Sequence, residues 1–226
     1  MKESFLWAKE ENMTKSIAVL GLGKYGTSLA QSMYEMGADV LIADINEDKV
    51  KDAAAYSTSA VVADLRNEDE VAKLGLKNMD IAAVCMSGNL SASIMSVAVA
   101  NEQGVPLIVA KSSSDRMTSI LKKIGADKVI IPEEYGGQQS ARILASNTFL
   151  DYFQVDKTLC MVEMNPLAKW IGKDVRQLNL RKNYGVNVIA VKKEDHWATI
   201  EPDHPMRESD KLLIVTEKKN LHKINR

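Results

Sequence analysis

Three glycines in Gly21-Leu22-Gly23-Lys24-Tyr25-Gly26 stand at the spacing that lets a backbone wrap a phosphate. The hexapeptide follows the apolar run Ser16-Ile17-Ala18-Val19-Leu20 and opens a helical pattern. A second apolar run, Val40-Leu41-Ile42-Ala43, closes on Asp44, 23 residues after Gly21. Glycines alone punctuate many turns, but this order of strand, glycine loop, helix, strand and acid is the dinucleotide-binding fingerprint. Gly21 makes the tight turn, Gly23 admits a phosphate close to the backbone, and Gly26 lets helix and strand pack closely. Free N–H groups at the helix start offer partial positive charge to an anion. Asp44 suits both hydroxyls of an adenine-side ribose, and its charge repels a 2′-phosphate. The expected ligand is an adenine nucleotide without that phosphate. The competing reading is a glycine turn that holds nothing.

Further polar residues fall where strands end. Lys24, inside the loop, can reach a terminal phosphate as a compact charge, or can be a solvated surface lysine. Asp64 ends the third apolar run and is placed to receive an adenine amino group. Ser87, Gly88 and Asn89 follow the fourth run and face the same crevice. Leu22, Tyr25, Ile45, Leu65 and Lys111 complete the expected nucleotide contacts. Glu133 follows the sixth run; it either holds a divalent cation that bridges phosphates or is an ordinary acid in a helix's first turn.

Machinery for turnover is harder to find. A nicotinamide enzyme of this architecture needs an acid, base or nucleophile near the cofactor, yet the nucleotide-binding half holds no histidine. His196, His204 and His222 lie later, at spacings that match no metal motif, and read as surface residues. No serine elbow or zinc-protease signature occurs. The nucleotide is expected to be read rather than consumed.

Composition narrows the class. The 226 residues are 46% apolar with net charge −1, enough for one large or two modest domains and without the basic field that nucleic acid demands. Two cysteines, Cys85 and Cys160, form no C-x-x-C pair, which fits a reducing cytoplasm. No apolar run approaches the ~18 residues that cross a bilayer. Residues 1–12 are charged and unlike a signal peptide, and Met13 is an alternative natural start.

The elements that must position these residues alternate. Strands are expected at 16–20, 40–43, 60–63, 81–86, 107–110 and 128–131. Helices are expected at 27–36, 47–56, 68–74, 91–103, 115–124, capped by Asp115, and 134–145. Such alternation implies right-handed crossovers and an α/β fold, a Rossmann-like doubly wound parallel sheet of six strands. After a connection at 147–156 the rhythm changes to strands near 159–163, 186–191 and 212–216 with a short helix at 175–178, a small α+β module. The expected domains are 14–150 and 157–226.

With these residues assembled, the chain resembles the cytosolic RCK regulatory subunits of bacterial potassium uptake systems, the KtrA/TrkA family. The carriers are the stretch Ala18-Val19-Leu20 with the glycine loop, Ala43-Asp44-Ile45-Asn46-Glu47, Val62-Ala63-Asp64, the run from Lys122 to Glu133, and Asn179-Leu180-Arg181-Lys182-Asn183-Tyr184-Gly185. One RCK unit is present, similar to the KtrA type. The resemblance implies a homo-oligomer, dimers assembling into an octameric ring, that sits in the cytoplasm against the inner face of the membrane. Its partner would be a potassium channel subunit of the KtrB/TrkH type, with no nucleic acid. Exchange of ATP for ADP would gate the channel, with NAD(H) possible in the same cleft. By position, Asp44 would hold the ribose and Glu133 a Mg²⁺ or Ca²⁺ ion near the γ-phosphate. The family's phosphate-contacting arginine falls at Lys24, which keeps the charge but loses the bidentate fork. The later module would bind cyclic di-AMP through Arg181, Asn187, Val188 and Ile189; otherwise that edge packs only on a dimer mate. Two other classes compete: an NAD(H)-linked redox enzyme or sensor, and a nucleotide-sensing transcriptional regulator.

Overall fold

A computed structural model describes residues 15–145, 149–193 and 196–224. The charged first dozen residues, the candidate start at Met13 and part of the expected connection at 147–156 lie outside them. The chain divides into two compact units, 1–133 and 134–226.

In the first unit, β1 (Ser16–Leu20) leads into α1 (Lys24–Glu35), β2 (Asp39–Asp44) into α2 (Glu47–Ala53), and β3 (Ser59–Val62) into α3 (Glu68–Ala72). Then come β4 (Ile81–Val84), α4 (Leu90–Glu102), β5 (Leu107–Lys111), α5 (Asp115–Ile124) and β6 (Lys128–Ile130). Strand order is β3-β2-β1-β4-β5-β6 and every pairing is parallel, the doubly wound arrangement that the alternation implied. The apolar runs explain it. In β1, Ala18 and Leu20 join one buried cluster with Val97 of α4 and Leu121 of α5, while Ile17 and Val19 join another with Ala30 of α1 and Val50 of α2. Period-two side chains that are apolar on both faces need helices on both sides.

Register then sets the working edge. Leu20 lies beside Ala43 and Val84, and Asp44 beside Val62, so the loops after β1, β2, β3 and β4 leave the same end of the sheet. The order reverses between β1 and β4, and the crevice there is where ligands of such sheets lie.

Helix α6 (Pro132–Leu144) begins with the last two residues of the first unit and continues in the second, which also contains β7 (Phe149–Gln154), β8 (Leu159–Met164), α7 (Val175–Leu178), α8 (Leu180–Tyr184), β9 (Val186–Lys193), β10 (His196–Thr199) and β11 (Lys211–Glu217). The second unit's antiparallel sheet runs β10-β9-β11-β8-β7 around a core centred on the fully buried Trp170, whose ring meets Tyr184 edge-on at 5.2 Å. The expected connection at 147–156 therefore carries a strand, β7, paired with β8. Two smaller differences have local causes. Helix α5 is capped by Ser114, whose hydroxyl accepts from the Met117 N–H at 3.2 Å, and Asp115 sits in the first turn instead. Helix α1 starts at Lys24, three residues early, because Gly23 takes the cap position with an extended backbone.

Candidate functional site

The glycine loop is built as the fingerprint requires. Gly21 has φ +97°, in the left-handed region, and a Cβ there would run into the Met86 side chain. A Cβ at Gly26 would collide with the Gly21 carbonyl oxygen and lie 3.1 Å from Cys85 Cβ, so only glycine permits this approach of α1 to the sheet. At Gly23 a Cβ would meet nothing within 4 Å, which leaves the backbone open to an approaching group. The first N–H groups of the 12-residue helix α1 face that opening.

Asp44 is 8% exposed and anchors the loop. Its Oδ2 accepts from the Leu22 N–H at 2.6 Å and its Oδ1 from the Asn46 N–H at 2.9 Å, while Lys49 Nζ stands 4.0 Å away. The acid at the end of β2 thus ties the glycine loop to the strand edge, and each oxygen keeps a lone pair for a further donor. Beside it opens a cavity of about 260 Å³. Asp44, Ile45, Asp64, Leu65 and Asn89, all named in the sequence as candidate nucleotide contacts, line it with Arg66, Met86 and Ala92. Asn89 also caps α4, accepting from the Ala92 N–H at 3.1 Å.

Asp64 is held by Arg66. Arg66 donates to it from Nε (2.9 Å to Oδ1) and Nη2 (2.6 Å to Oδ2), and from its own backbone N–H at 3.0 Å. These bonds hold the Asp64 carboxyl down to a pKa of about 2. Arg66 was missed in the sequence; the signal was its place two residues beyond the acid that ends the third strand, within fork reach.

The remaining residues separate. Lys24 lies with Leu22, Gly23, Thr27, Gln31 and Lys49 on an open groove of about 620 Å³, apart from the Asp44 cavity. Lys111 Nζ donates to Glu133 Oε1 at 2.5 Å and stands 6.0 Å from the centre of the Tyr25 ring. That ammonium keeps the Glu133 carboxyl below its ordinary pKa. Ser87 is half-buried and Gly88 exposed on the loop after β4. Cys85 is buried under the loop, and burial pushes its thiol up to about 12. Among the described residues no three His, Cys, Asp or Glu side chains gather as a metal site.

In the second unit a shallow cleft of about 210 Å³ is lined by Arg176, Asn179, Arg181, Asn187 and Val188 among others. Arg181 Nε donates to Asn187 Oδ1 at 2.9 Å. Ile189 does not line it: the β9–β11 register shifts there, Ala190 pairing with Leu213 and Val188 with Ile214, and the bulged Ile189 is 40% exposed. Of the histidines read as surface residues, His196 and His222 are exposed, but His204 is mostly enclosed, with Nε2 2.8 Å from Asp210 Oδ2.

Fold and site together define a Rossmann unit of the RCK kind followed by a small antiparallel module. Residues 17–132 match the TrkA-N domain and residues 160–226 the TrkA-C domain. The chain belongs to this potassium-uptake family. It is 34% identical to the Ktr system potassium uptake protein A of Bacillus subtilis, over 92% of this chain and 94% of that one. The Ktr system potassium uptake protein C of the same organism is 35% identical over 80% and 82%, and protein A of Vibrio alginolyticus 34% over 79% and 81%. Among solved structures, a GsuK channel bound to NAD shares the fold at TM-score 0.62 and 14% identity; the match covers 94% of this chain and about two fifths (39%) of that one. No described helix is long and apolar enough to cross a membrane.

Proposed function

We propose that the chain is a nucleotide-sensing regulatory subunit of a potassium uptake system, binding an adenine nucleotide in the first unit and doing no chemistry on it. The observation that carries this is Asp44: a nearly buried carboxylate that fastens the glycine loop through the Leu22 N–H and borders a cavity of nucleoside size. Its family membership and the names of its relatives support the potassium side of the reading.

Each residue then has a task. Asp44 takes the ribose hydroxyls, Ile45, Leu65 and Met86 give the base apolar walls, and the α1 N–H groups receive phosphate at Gly23. Lys24, on the outer groove, meets a phosphate chain only where it leaves the loop. Glu133 would hold the cation. One carboxylate suffices for Mg²⁺ when phosphate oxygens supply other ligands, and Lys111 keeps that carboxylate ionised until it is needed. Glu133 and its partner Lys111 would respond to a triphosphate with its cation and not to a diphosphate, and that would give the two ligands different affinities for two shapes of the subunit. Such a difference is the only means by which a ligand shifts an equilibrium.

The subunit works as a homo-oligomer, an octameric ring in the family's manner, at the cytoplasmic face of its KtrB/TrkH-type membrane partner. Arg181, Asn187 and Val188 line a second binding place, suited to the phosphate and base of cyclic di-AMP. The test is potassium flux into proteoliposomes that hold the membrane partner with this chain added. Flux should rise with ATP and fall with ADP; flux indifferent to both would refute the proposal.

A further inference from the structure

Arg66 has no part in the tasks above, yet it forms a wall of the Asp44 cavity. Nε and Nη2 donate to Asp64, with Nε also 3.2 Å from Oδ2, so one edge of the planar guanidinium is clamped. More than half of the side chain (54%) stays exposed. A flexible side chain has thereby been fixed as a plane before any ligand arrives, and the entropy of ordering it is already spent.

Charge says what such a plane is for. Among the described residues that line the cavity the one cation, Arg66, is paired with Asp64, and Lys49 Nζ stands 4.0 Å from Asp44. The phosphate place lies at the glycine loop. Once Asp64 has neutralised Arg66, the guanidinium offers its face. A guanidinium face stacks well on an aromatic ring, and the other walls, Ile45, Leu65 and Met86, are apolar.

We propose that Arg66, set flat by Asp64, is the residue that grips the base of the nucleotide by stacking on the purine face. Asp64 is then a positioning residue. The inference rests on the nucleotide reading of the same cavity.

The test is calorimetric titration of the full chain with ATP and with ribose 5-triphosphate, which lacks the base. Arg66→Ala should weaken ATP about tenfold and leave ribose 5-triphosphate within about twofold. Arg66→Lys, which keeps the charge and the Asp64 contact but not the plane, should behave like the alanine variant toward both ligands. Asp64→Asn, which loosens the clamp, should weaken ATP by less and spare the baseless ligand. Unfolding midpoints without ligand verify that the variants fold, and Arg66→Lys decides the matter if Arg66→Ala does not. Equal ATP binding by wild type and variants would overturn the stacking role while leaving the nucleotide reading intact. So would equal losses for both ligands, or full rescue by lysine, either of which marks a charge role. A wild-type chain that binds no ATP would overturn both readings.

Discussion

Asp44→Ala tests the site more sharply than simple loss of binding. Asp44 holds the glycine loop through Leu22 as well as facing the cavity, so its removal disturbs the loop whatever ligand is present. The ribose contact must be separated from that loss. Comparing ATP with 2′,3′-dideoxy-ATP does so, because the two differ only in the hydroxyls assigned to Asp44. Hydrogen bonds to a charged group contribute about 1.5–3 kcal/mol each. With each oxygen already accepting one backbone N–H, a single net bond of about 2 kcal/mol is the reasonable expectation, roughly thirtyfold in affinity. Wild type should therefore prefer ATP over the dideoxy analogue by about thirtyfold. In Asp44→Ala both ligands should weaken and the preference should vanish; in Asp44→Asn, which retains one acceptor, an intermediate preference should remain. This is a double-mutant cycle with the ligand as one partner, so the effect on the loop cancels. Calorimetry, or competition against a fluorescent nucleotide, reads both constants. A preference that survives in Asp44→Ala would refute the ribose assignment.

Three further outcomes follow from local geometry. Gly26→Ala forces a methyl group into the Gly21 carbonyl and against Cys85, which should cost about 1–3 kcal/mol in denaturant unfolding of the first unit and abolish nucleotide binding; a stable, ATP-binding variant would contradict the packing described. The Asp64 carboxyl should titrate near 2 by NMR, against an ordinary 3.8, and return toward the ordinary value in Arg66→Ala. Because its folded value is depressed, whatever stability the pair gives is present above pH ~4 and lost as pH falls toward ~2; an Asp64 that titrates normally would mean the fork is not formed in solution. Arg181→Ala should weaken cyclic di-AMP about tenfold or more, since it removes one of the two guanidinium groups that line the cleft, the one assigned to the phosphate, whereas Ile189→Ala, off the cleft, should change it less than about twofold; the reverse order would return that edge to a packing role.

The first unit was largely legible because its signals are local. Buried parallel strands read as apolar runs, and Gly21, Gly26 and Asp44 each answer to one physical need at a fixed place in the chain. Strand β7 was not legible: Phe149-Leu150-Asp151-Tyr152-Phe153-Gln154 is an edge strand with Asp151 and Gln154 among its apolar residues, and only pairing with β8 makes it a strand. The bulge at Ile189 was equally hidden, since a run of Val, Ile and Ala does not say which residue is extra. Arg66 and His204 escaped for a shared reason. A charged side chain in a polar stretch reads as solvated unless its near neighbours are weighed as partners: Asp64 stands two residues before Arg66, and Asp210 six residues after His204. Lys111 and Glu133 were each assigned to the ligand, and their bond to one another across 22 residues is a tertiary fact.

One measurement bears most directly on whether a ligand is held and left unchanged: titration of the purified chain with ATP, ADP and NADH, with the nucleotides recovered and analysed afterwards. Saturable binding of one adenine nucleotide per chain, recovered intact, is the expected result. No binding of any of the three, or steady conversion of NADH to NAD⁺ with a reduced product, would contradict it.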